Sequence, residues 1–390
     1  MKQGWEIKKL GDVCTIKGRI GFRGYTRNDL VHQGEGAITL SPSNITNDVL
    51  LFDKCQYISW FKYEESPEIQ VFEGDVIYAK TASVGKVALV KYLPEKATIN
   101  PQFVVFKKIL CSPSYLYYAV RGEGFKQQIS QITNGVAIPT VSQSNMANLR
   151  IPVPTREEQE RIVGELDCLS GIIENKRAQL RELDALAQSI FYTMFGDPIT
   201  NDKGWETKKL PDICSIISTG ITYKPENVAD EGTIVLRSGN IQNSRFVLDD
   251  IVRINMPLKE SQYVQQNDIL MCSRNGSARL VGKVALIPNT TERMSWGAFM
   301  TIIRTEFYYF LYQYFQLPAF RQQLIKTKTS TVNQITIGML KDISVPFPPI
   351  LLQQQFAEKI ENIERQKELI KQSIKETEDL FNSRMDYYFN

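Results

Sequence analysis

The chain has 390 residues, of which 43% are hydrophobic and 23% are charged, and its formal net charge is +3. This length favours two or three domains, and the composition excludes an intrinsically disordered chain and a disulfide-rich scaffold. No apolar run approaches the roughly 20 residues of a membrane-spanning helix, and the opening residues MKQGWEIKKLGD contain no apolar signal core. We therefore predict a cytoplasmic protein.

Short apolar segments alternate with Gly, Asn and Pro in the first part of the chain. The segments 75–79, 85–90 and 103–106 predict strands separated by turns. A helical stretch follows at about 113–131, and residues 307–326 match it later in the chain. An α+β domain, with a mixed sheet and helices, is therefore predicted.

A long helix is predicted after this domain, because the residues from Thr155 to about Phe195 contain no proline and keep a heptad pattern. Its apolar seam follows alternating steps of four and three positions. The seam residues are Ile162, Leu166, Leu169, Ile173, Lys176, Leu180, Leu183, Ala187, Ile190 and Met194.

The chain then repeats itself. GWEIKKLGDVC at 4–14 returns as GWETKKLPDIC at 204–214, and VGKVAL at 84–89 returns unchanged at 281–286. LSPSNIT and NLRIPVP in the first half likewise have the counterparts LRSGNIQ and DISVPFP in the second. The nearly constant offset of about 200 residues predicts two copies of a whole domain rather than a short-period solenoid.

The loops of the two copies differ, whereas their framework segments agree. KGRIGFRGYTRNDLVHQGEG at 17–36 has little in common with STGITYKPENVADEG at 218–232. This is the pattern expected when one scaffold presents two different binding surfaces, because loops carry specificity and scaffolds carry packing. Neutral drift after duplication is the alternative interpretation.

A second heptad seam closes the chain in the same phase as the first. It comprises Phe356, Ile360, Ile363, Lys367, Ile370, Ile374, Thr377 and Phe381. We expect the helices to form an antiparallel coiled coil, because a two-fold axis relating the copies makes each helix run from its own domain toward the other. The seam lysines Lys176 and Lys367 are expected to fix the register by facing carbonyls or acids of the opposite helix. A plain dimerisation coiled coil is the alternative.

The predicted organisation is thus two pseudo-two-fold-related α+β domains separated by two long helices. The domains occupy residues 1–152 and 197–346, and the helices occupy 153–196 and 347–390. About 40 helical residues reach roughly 60 Å. Two domains on such a rod can lie on one face of a DNA duplex one or more helical turns apart, one turn being roughly 34–36 Å.

Motifs for catalysis are missing from the sequence. It contains no Walker loop and no glycine-rich cofactor loop joined to a methyltransferase motif. Glu6-Ile7-Lys8 and Glu206-Thr207-Lys208 have the acid-x-Lys spacing of nucleases, but we interpret them as exposed strand charges. The single histidine, His32, excludes a His-based metal cluster. The scattered cysteines are expected to be reduced structural thiols; they are Cys14, Cys55, Cys111, Cys168, Cys214 and Cys272.

Candidate DNA-binding residues lie in basic, flexible stretches. The strand connections before the two Gly-Lys pairs offer an arginine for guanine edges, an asparagine for adenine edges, and hydroxyls or lysines for phosphates. These candidates are Lys80, Thr81, Ser83 and Lys86 in the first copy, and Arg274, Asn275, Ser277, Arg279 and Lys283 in the second. Arg19, Arg23, Lys326 and Lys328 are further candidates. Because the net charge is small, a DNA-binding chain must concentrate such residues on one face.

Taken together, these motifs make the chain similar to the specificity subunit of a type I restriction-modification system. The similarity covers nearly the whole chain: the repeated Gly-Trp opening, the Ser43-Asn44-Ile45 and Gly239-Asn240-Ile241 islands, and the strand, basic loop and Gly-Lys unit. Glu158-Gln159-x-x-Ile162 and the segment from Met194 to Pro198 also match. The start of the second helix departs from the pattern, because its acid is lost while Gln353 remains.

The resemblance implies a non-catalytic subunit. Each target recognition domain would read one half of a bipartite, asymmetric site in double-stranded DNA, with Asn44 and Asn240 among the contacting residues. The paired helices would set the spacer and dock two modification subunits, and through them the restriction subunits. S-adenosylmethionine, ATP and Mg²⁺ would bind to those partners, with none in this chain and no membrane partner.

Two alternatives remain open. One is the specificity part of a bifunctional, type II-like restriction-methylation enzyme. The other is a coiled-coil scaffold whose ligand-binding domains never contact DNA. A salt-dependent duplex-binding assay separates the second from the specificity subunit, because phosphate contacts make affinity fall steeply with salt.

Overall fold

A computed structural model describes residues 4–46, 48–133, 138–327 and 333–390. The chain divides into two compact units. The first unit comprises Met1–Arg177 and Gln372–Asn390, and the second comprises Ala178–Lys371. Each unit therefore contains part of both long helices.

The first unit is α+β. Its strands are β1 (Glu6–Lys9), β2 (Thr15–Lys17), β3 (Leu30–Val31), β4 (Gly36–Leu40), β5 (Ile45–Thr46), β6 (Val49–Leu50), β7 (Gln56–Ser59), β8 (Gln70–Val71), β9 (Val76–Ala79), β10 (Val87–Leu89), β11 (Ala97–Ile99), β12 (Phe103–Lys107) and β13 (Arg150–Val153). Its helices are α1 (Leu10–Val13), α2 (Trp60–Glu64), α3 (Pro113–Ala119), α4 (Glu123–Thr133), α5 (Gln143–Asn148) and the beginning of α6 (Arg156–Phe195).

Two sheets form the centre of this unit. An antiparallel sheet has the strand order β10-β9-β12-β2, and a mixed sheet has the order β3-β7-β4-β11-β8, in which β4 and β11 run parallel. Alternate side chains of strand β9 belong to two different hydrophobic cores. Val76 and Tyr78 pack with the helices, whereas Ile77 and Ala79 pack with residues of the mixed sheet. Alternate side chains of a strand point to opposite faces, so the antiparallel sheet is covered on both sides.

The second unit repeats this plan. Its strands are β14 (Thr207–Lys209), β15 (Ile216–Thr219), β16 (Val228–Ala229), β17 (Thr233–Leu236), β18 (Ile241–Gln242), β19 (Arg245–Phe246), β20 (Arg253–Ile254), β21 (Ile269–Cys272), β22 (Val284–Leu286), β23 (Met294–Trp296), β24 (Met300–Arg304) and β25 (Ser344–Pro346). Its helices are α7 (Leu210–Ile213), α8 (Tyr308–Gln316), α9 (Pro318–Thr327), α10 (Ile337–Asp342) and the beginning of α11 (Ile350–Phe389).

The sheets of the second unit correspond to those of the first. The antiparallel order β15-β24-β21-β22 matches β2-β12-β9-β10, and the mixed sheet β16-β20-β17-β23 again contains one parallel pair, β17 with β23. Ile269 and Met271 of β21 face the helices, whereas Leu270 and Cys272 face the mixed sheet. The prediction of a duplicated α+β fold with mixed sheets is confirmed.

The long helices pair antiparallel within each unit. In the first unit, Glu165 forms an ion pair with Arg384, and the Lys176 ammonium donates to the carbonyl of Ser373 at 3.4 Å. As residue numbers rise along α6, those of the partners on α11 fall. In the second unit, the buried Lys367 ammonium lies 2.8 Å from Asp184. Both seam lysines therefore contact a carbonyl or an acid of the opposite helix, as the heptad pattern predicts.

The helix boundaries differ slightly from the predicted ones. Helix α6 begins at Arg156 and not at residue 153 as predicted, because Val153 is the last residue of strand β13. The Thr155 hydroxyl accepts the N–H of Glu158 at 3.4 Å and caps its first turn. Gly196 follows α6 with a φ of 78°, the left-handed conformation that suits glycine after a helix. The stretch predicted at 113–131 is two helices, α3 and α4.

Among the described residues, no helix is both long and apolar enough to cross a membrane.

Candidate nucleic-acid interface

The first recognition loop, residues 80–86, connects β9 to β10 and is held by backbone hydrogen bonds from both sides. The Lys80 N–H donates to the carbonyl of Gln102 at 2.8 Å, and the Lys80 carbonyl accepts the N–H of Val141 at 2.9 Å. The Ala79 N–H donates to the carbonyl of Lys86 at 2.8 Å and closes the loop. Two other segments of the first unit, at Gln102 and Val141, thus fix the base of the loop.

The second recognition loop, residues 273–283, is held in the same way. The Ser273 N–H donates to the carbonyl of Phe299 at 2.9 Å, and the Ser273 carbonyl accepts the N–H of Ile335 at 2.7 Å. The Cys272 N–H closes the loop on the Lys283 carbonyl at 2.9 Å. Ser273 is therefore the counterpart of Lys80.

The loops differ at their tips. Residues 274–282 in the second unit take the place of residues 81–85 in the first, so the second tip is four residues longer. A rigid shared frame with unlike tips is the arrangement expected of two binding surfaces with different specificities.

The predicted loop residues lie at or near the surface. Lys80, Thr81 and Ser83 are half-buried, and Lys86 is exposed. The Lys86 ammonium donates to the carbonyls of Pro42 at 3.1 Å and Ile45 at 3.3 Å, which joins the loop to the turn before β5. In the second loop, Arg274, Ser277 and Arg279 are exposed, whereas Asn275 and Lys283 are half-buried.

Asn44 and Asn240, which were predicted to contact DNA, do not lie at the surface of the structure. Both side chains are buried, and each amide oxygen accepts a backbone N–H three residues earlier, from Ser41 at 2.9 Å and from Arg237 at 2.8 Å. Each amide nitrogen donates to carbonyls seven and ten residues later. These asparagines hold a turn in each copy, and their repetition between divergent loops is the signal that marks them as framework.

Arg19, which was also predicted to contact DNA, is buried within the first unit. Its side chain is only 6% exposed and donates to the carbonyl of Ile99 and the hydroxyl of Thr98, both at 3.3 Å. Burial lowers the pKa of its guanidinium. Arg23 is half-buried, with a guanidinium nitrogen 3.5 Å from Glu68.

The remaining basic candidates are the lysines of the stretch 326–328. Lys328 and the side chain of Lys326 lie outside the described residues.

The predicted helix seam lies on the inner faces of the helices, and none of its members is exposed. The buried members are Ile162, Leu166, Ile173, Phe356, Ile360 and Ile363, and the half-buried ones are Leu169, Leu180, Leu183, Ile370 and Ile374.

The cysteines are free thiols. Burial raises the pKa of Cys14 and of Cys214 to about 12 and that of Cys111 to about 11. These thiols are therefore protonated at neutral pH, whereas a nucleophilic cysteine requires a lowered pKa.

A cleft beside the second recognition loop was not predicted from the sequence. It has a volume of about 700 Å³ and is lined by Tyr223, Arg237, Ser238, Phe299 and neighbouring residues. The Asn275 side chain donates to the Ser238 hydroxyl at 3.1 Å and joins the loop to its rim. The Arg274 guanidinium lies 5.3 Å from the centre of the Phe299 ring. Alignment of the two VGKVAL segments also pairs Phe299 with Gln102. This difference between the copies is the sequence signal that could have identified Phe299.

The surface around each loop is suited to nucleic acid. Arg274 can give the paired hydrogen bonds that guanine accepts, and the lysines and hydroxyls can contact phosphates. Ser277 and Arg279 extend the second surface with a hydroxyl and a further cation.

Comparison with known proteins gives a consistent result. The model of the family described as type I restriction modification DNA specificity domain matches residues 2–185 and again residues 202–379. The MjaIX specificity subunit of a type I restriction enzyme from Methanocaldococcus jannaschii is 23% identical over 90% of this chain and 85% of its own. The EcoKI specificity subunit from Escherichia coli K12 is 29% identical over 41% of this chain and 36% of its own.

Solved structures share the fold. A chain from a structure concerned with complex assembly and conformational transition of the type I R-M system has a TM-score of 0.56 and 19% identity, covering 100% of this chain and 98% of its own. The type I S subunit from M. genitalium has a TM-score of 0.52 and 14% identity, covering 99% and 96%.

Proposed function

Because the chain belongs to the family of type I restriction-modification DNA specificity proteins and is the DNA specificity subunit of such a system, we propose that each of its recognition domains reads one half of a bipartite, asymmetric DNA site. The observation that carries this proposal is the pair of recognition loops. They share their backbone frame, and they differ in tip length and chemistry. Duplication of the frame accounts for two half-sites, and divergence of the tips accounts for their difference.

The long helices set the spacer between the half-sites. Each is an uninterrupted helix of 40 residues, about 60 Å long at 1.5 Å per residue. The contacts of Lys176 with Ser373 and of Lys367 with Asp184 hold the pair in one register. A rod with fixed register keeps a fixed length, which a ruler for DNA requires.

The partners of the chain supply the chemistry. The helices dock two modification subunits, which bind S-adenosylmethionine and methylate adenine, and through them the restriction subunits, which use ATP and Mg²⁺. The chain itself is non-catalytic and acts in the cytoplasm, where the DNA lies. The proposal rests on family membership and on a related fold found in a structure of type I R-M assembly.

Sequencing of methylated bases tests the half-site proposal. Host DNA should carry a split motif when the chain is expressed with its modification subunits and should lose it when the chain is omitted. The purified chain alone should transfer no methyl group from S-adenosylmethionine. Methyl transfer by the chain alone, or an unsplit motif, contradicts the proposal.

Shortening the helices tests the ruler. The pairs 165 with 384 and 176 with 373 place residues 169–175 opposite residues 374–380. Deleting both segments removes one heptad from each helix and keeps the pairing. The rod becomes about 10 Å shorter, so the spacer should shorten by about three base pairs. Altered half-sites with an unchanged spacer contradict this role.

A further inference from the structure

Phe299 is a large aromatic residue on the surface of the second unit. It lies in the connection between β23 and β24 and is 57% exposed. Its carbonyl accepts the N–H groups of Ser273 at 2.9 Å and Arg274 at 3.0 Å, so the connection and the second recognition loop are joined at this point. The ring lies outside the buried hydrophobic clusters of this unit. Packing of the core therefore does not require it.

Arg274 lies over the exposed ring. The carbon at the centre of its guanidinium is 5.3 Å from the ring centre, within the range of a cation–π interaction. Contact with an aromatic face restricts a long side chain before any partner binds. A guanidinium held in this way has its planar set of donors already oriented, which lowers the entropic cost of paired hydrogen bonds.

The positions equivalent to Arg274 and Phe299 carry different residues in the first unit. Thr81 pairs with Thr140 as Arg274 pairs with Gln334, so Thr81 is the counterpart of Arg274. Gln102 is the counterpart of Phe299, and its amide oxygen accepts a hydrogen bond from Asn100 at 3.0 Å. Positions that share a backbone frame but differ in side-chain chemistry are those where the two units can read different bases.

We propose that Arg274 and Phe299 together determine specificity in the second recognition domain, a reading that rests on the function proposed above. Arg274 donates to O6 and N7 of a guanine, and Phe299 contacts the methyl group of a neighbouring thymine. A base and not a phosphate is the partner of Phe299, because the thymine methyl is an apolar group in the major groove whereas a phosphate has no apolar surface. The second half-site should therefore contain a thymine next to a guanine.

The experiment uses the chain in complex with its modification subunits. The site methylated by the wild-type complex is determined first, and duplexes carrying that site then receive single-atom changes. Uracil in place of the thymine removes only the methyl group, and 7-deazaguanine removes only the N7 acceptor. Binding of each duplex is measured for the wild type, Arg274→Ala and Phe299→Ala.

Arg274→Ala should bind the cognate duplex roughly 10- to 100-fold more weakly than the wild type does, because it loses a bidentate contact with guanine. The wild type should bind the 7-deazaguanine duplex more weakly than the cognate duplex. Arg274→Ala should bind these two duplexes with equal affinity. The uracil duplex should show the same pattern with Phe299→Ala. Methylation sequencing should show relaxed specificity at these base pairs alone, with the first half-site unchanged.

A matched control lies at the other end of β23. Arg293 stacks on Tyr263, 4.2 Å from the ring centre, and is an exposed arginine on an aromatic side chain in the same unit. Arg293→Ala should leave the motif unchanged. Phe299→Gln, which installs the residue found at the equivalent position of the first unit, is a second variant that retains a side chain at this exposed site.

The outcomes are distinct. Equal sensitivity of wild type and variants to the base changes, an unaltered motif in both alanine variants, or a second half-site without adjacent thymine and guanine overturns this inference and leaves the proposed function intact. A wild-type complex that methylates no split motif overturns both.

Discussion

Breaking the ion pair between Asp268 and Arg304 should destabilise the second unit. Asp268 precedes β21, the strand that leads to the second recognition loop, and its side chain is 1% exposed. Its carboxylate oxygens accept from Nε and Nη2 of Arg304, both at 2.7 Å, and from the N–H of Gln265 at 2.7 Å. Asp268→Asn keeps the shape but removes the charge that the guanidinium faces.

The magnitude follows from burial. Removing one partner of a buried ion pair costs about 3–5 kcal/mol. The side chain of Arg304 is 19% exposed, so water compensates part of the loss and the lower end of about 3 kcal/mol applies. For a unit of this size, about 3 kcal/mol lowers the midpoint of thermal unfolding by about 6–12 °C.

Calorimetry of the full chain measures this change, with Glu260→Gln as the matched control. Glu260 pairs with Arg293 in the same unit at 2.9 Å, but the side chains of Arg293 and Glu260 are 64% and 85% exposed. An exposed pair contributes about 0–1 kcal/mol, so the control should barely shift the transition. Equal shifts for the two variants would refute the argument that burial makes the Asp268 pair important.

Three further predictions follow from the framework and the helices. Asn240→Ala removes three hydrogen bonds of a buried turn and should lower the free energy of unfolding by about 2–4 kcal/mol; urea titration measures this, and methylation sequencing should show the same motif at lower occupancy. Lys367→Glu places a buried carboxylate beside Asp184 and Glu364 and should cost about 3 kcal/mol, the lower end of the range for a buried pair, because the Asp184 side chain is 58% exposed; the double variant with Asp184→Lys should recover most of the thermal stability. Hydrogen bonds from Arg384 hold the pKa of Glu165 below its usual value, so its contribution to stability is present above about pH 4.3 and is lost as the pH falls through the lowered pKa. Thermal unfolding from pH 7 to pH 3 should therefore show a shallower loss for Glu165→Gln than for the wild type, and parallel curves would contradict this assignment.

The long helices were predictable because their information is local. A heptad seam repeats along one segment, and its polar interruptions mark where the opposite helix must supply a partner. Lys176 and Lys367 were therefore expected to face a carbonyl or an acid, and each does. The duplicated α+β domains were predictable for a similar reason, because the framework segments of the two copies still have similar sequences at a nearly constant offset.

The recognition surface was harder to predict because it depends on contacts between distant segments. Asn44 and Arg19 have side chains that suit DNA, but tertiary structure directs both into hydrogen bonds with the protein itself. The contact between Arg274 and Phe299 joins two strand connections that no local motif links. Residue type alone therefore selected some framework residues and missed an exposed aromatic.

Comparison of equivalent positions separates the two roles better than residue type does. Where the copies agree, as at Asn44 and Asn240, the side chain is buried and satisfied by its own backbone. Where they differ within a shared frame, as at Gln102 and Phe299, the position is free to vary without loss of the fold. Comparison of the two copies therefore distinguishes the two kinds of residue. The framework must be kept in both copies, whereas the base-reading positions must change for the two half-sites to differ.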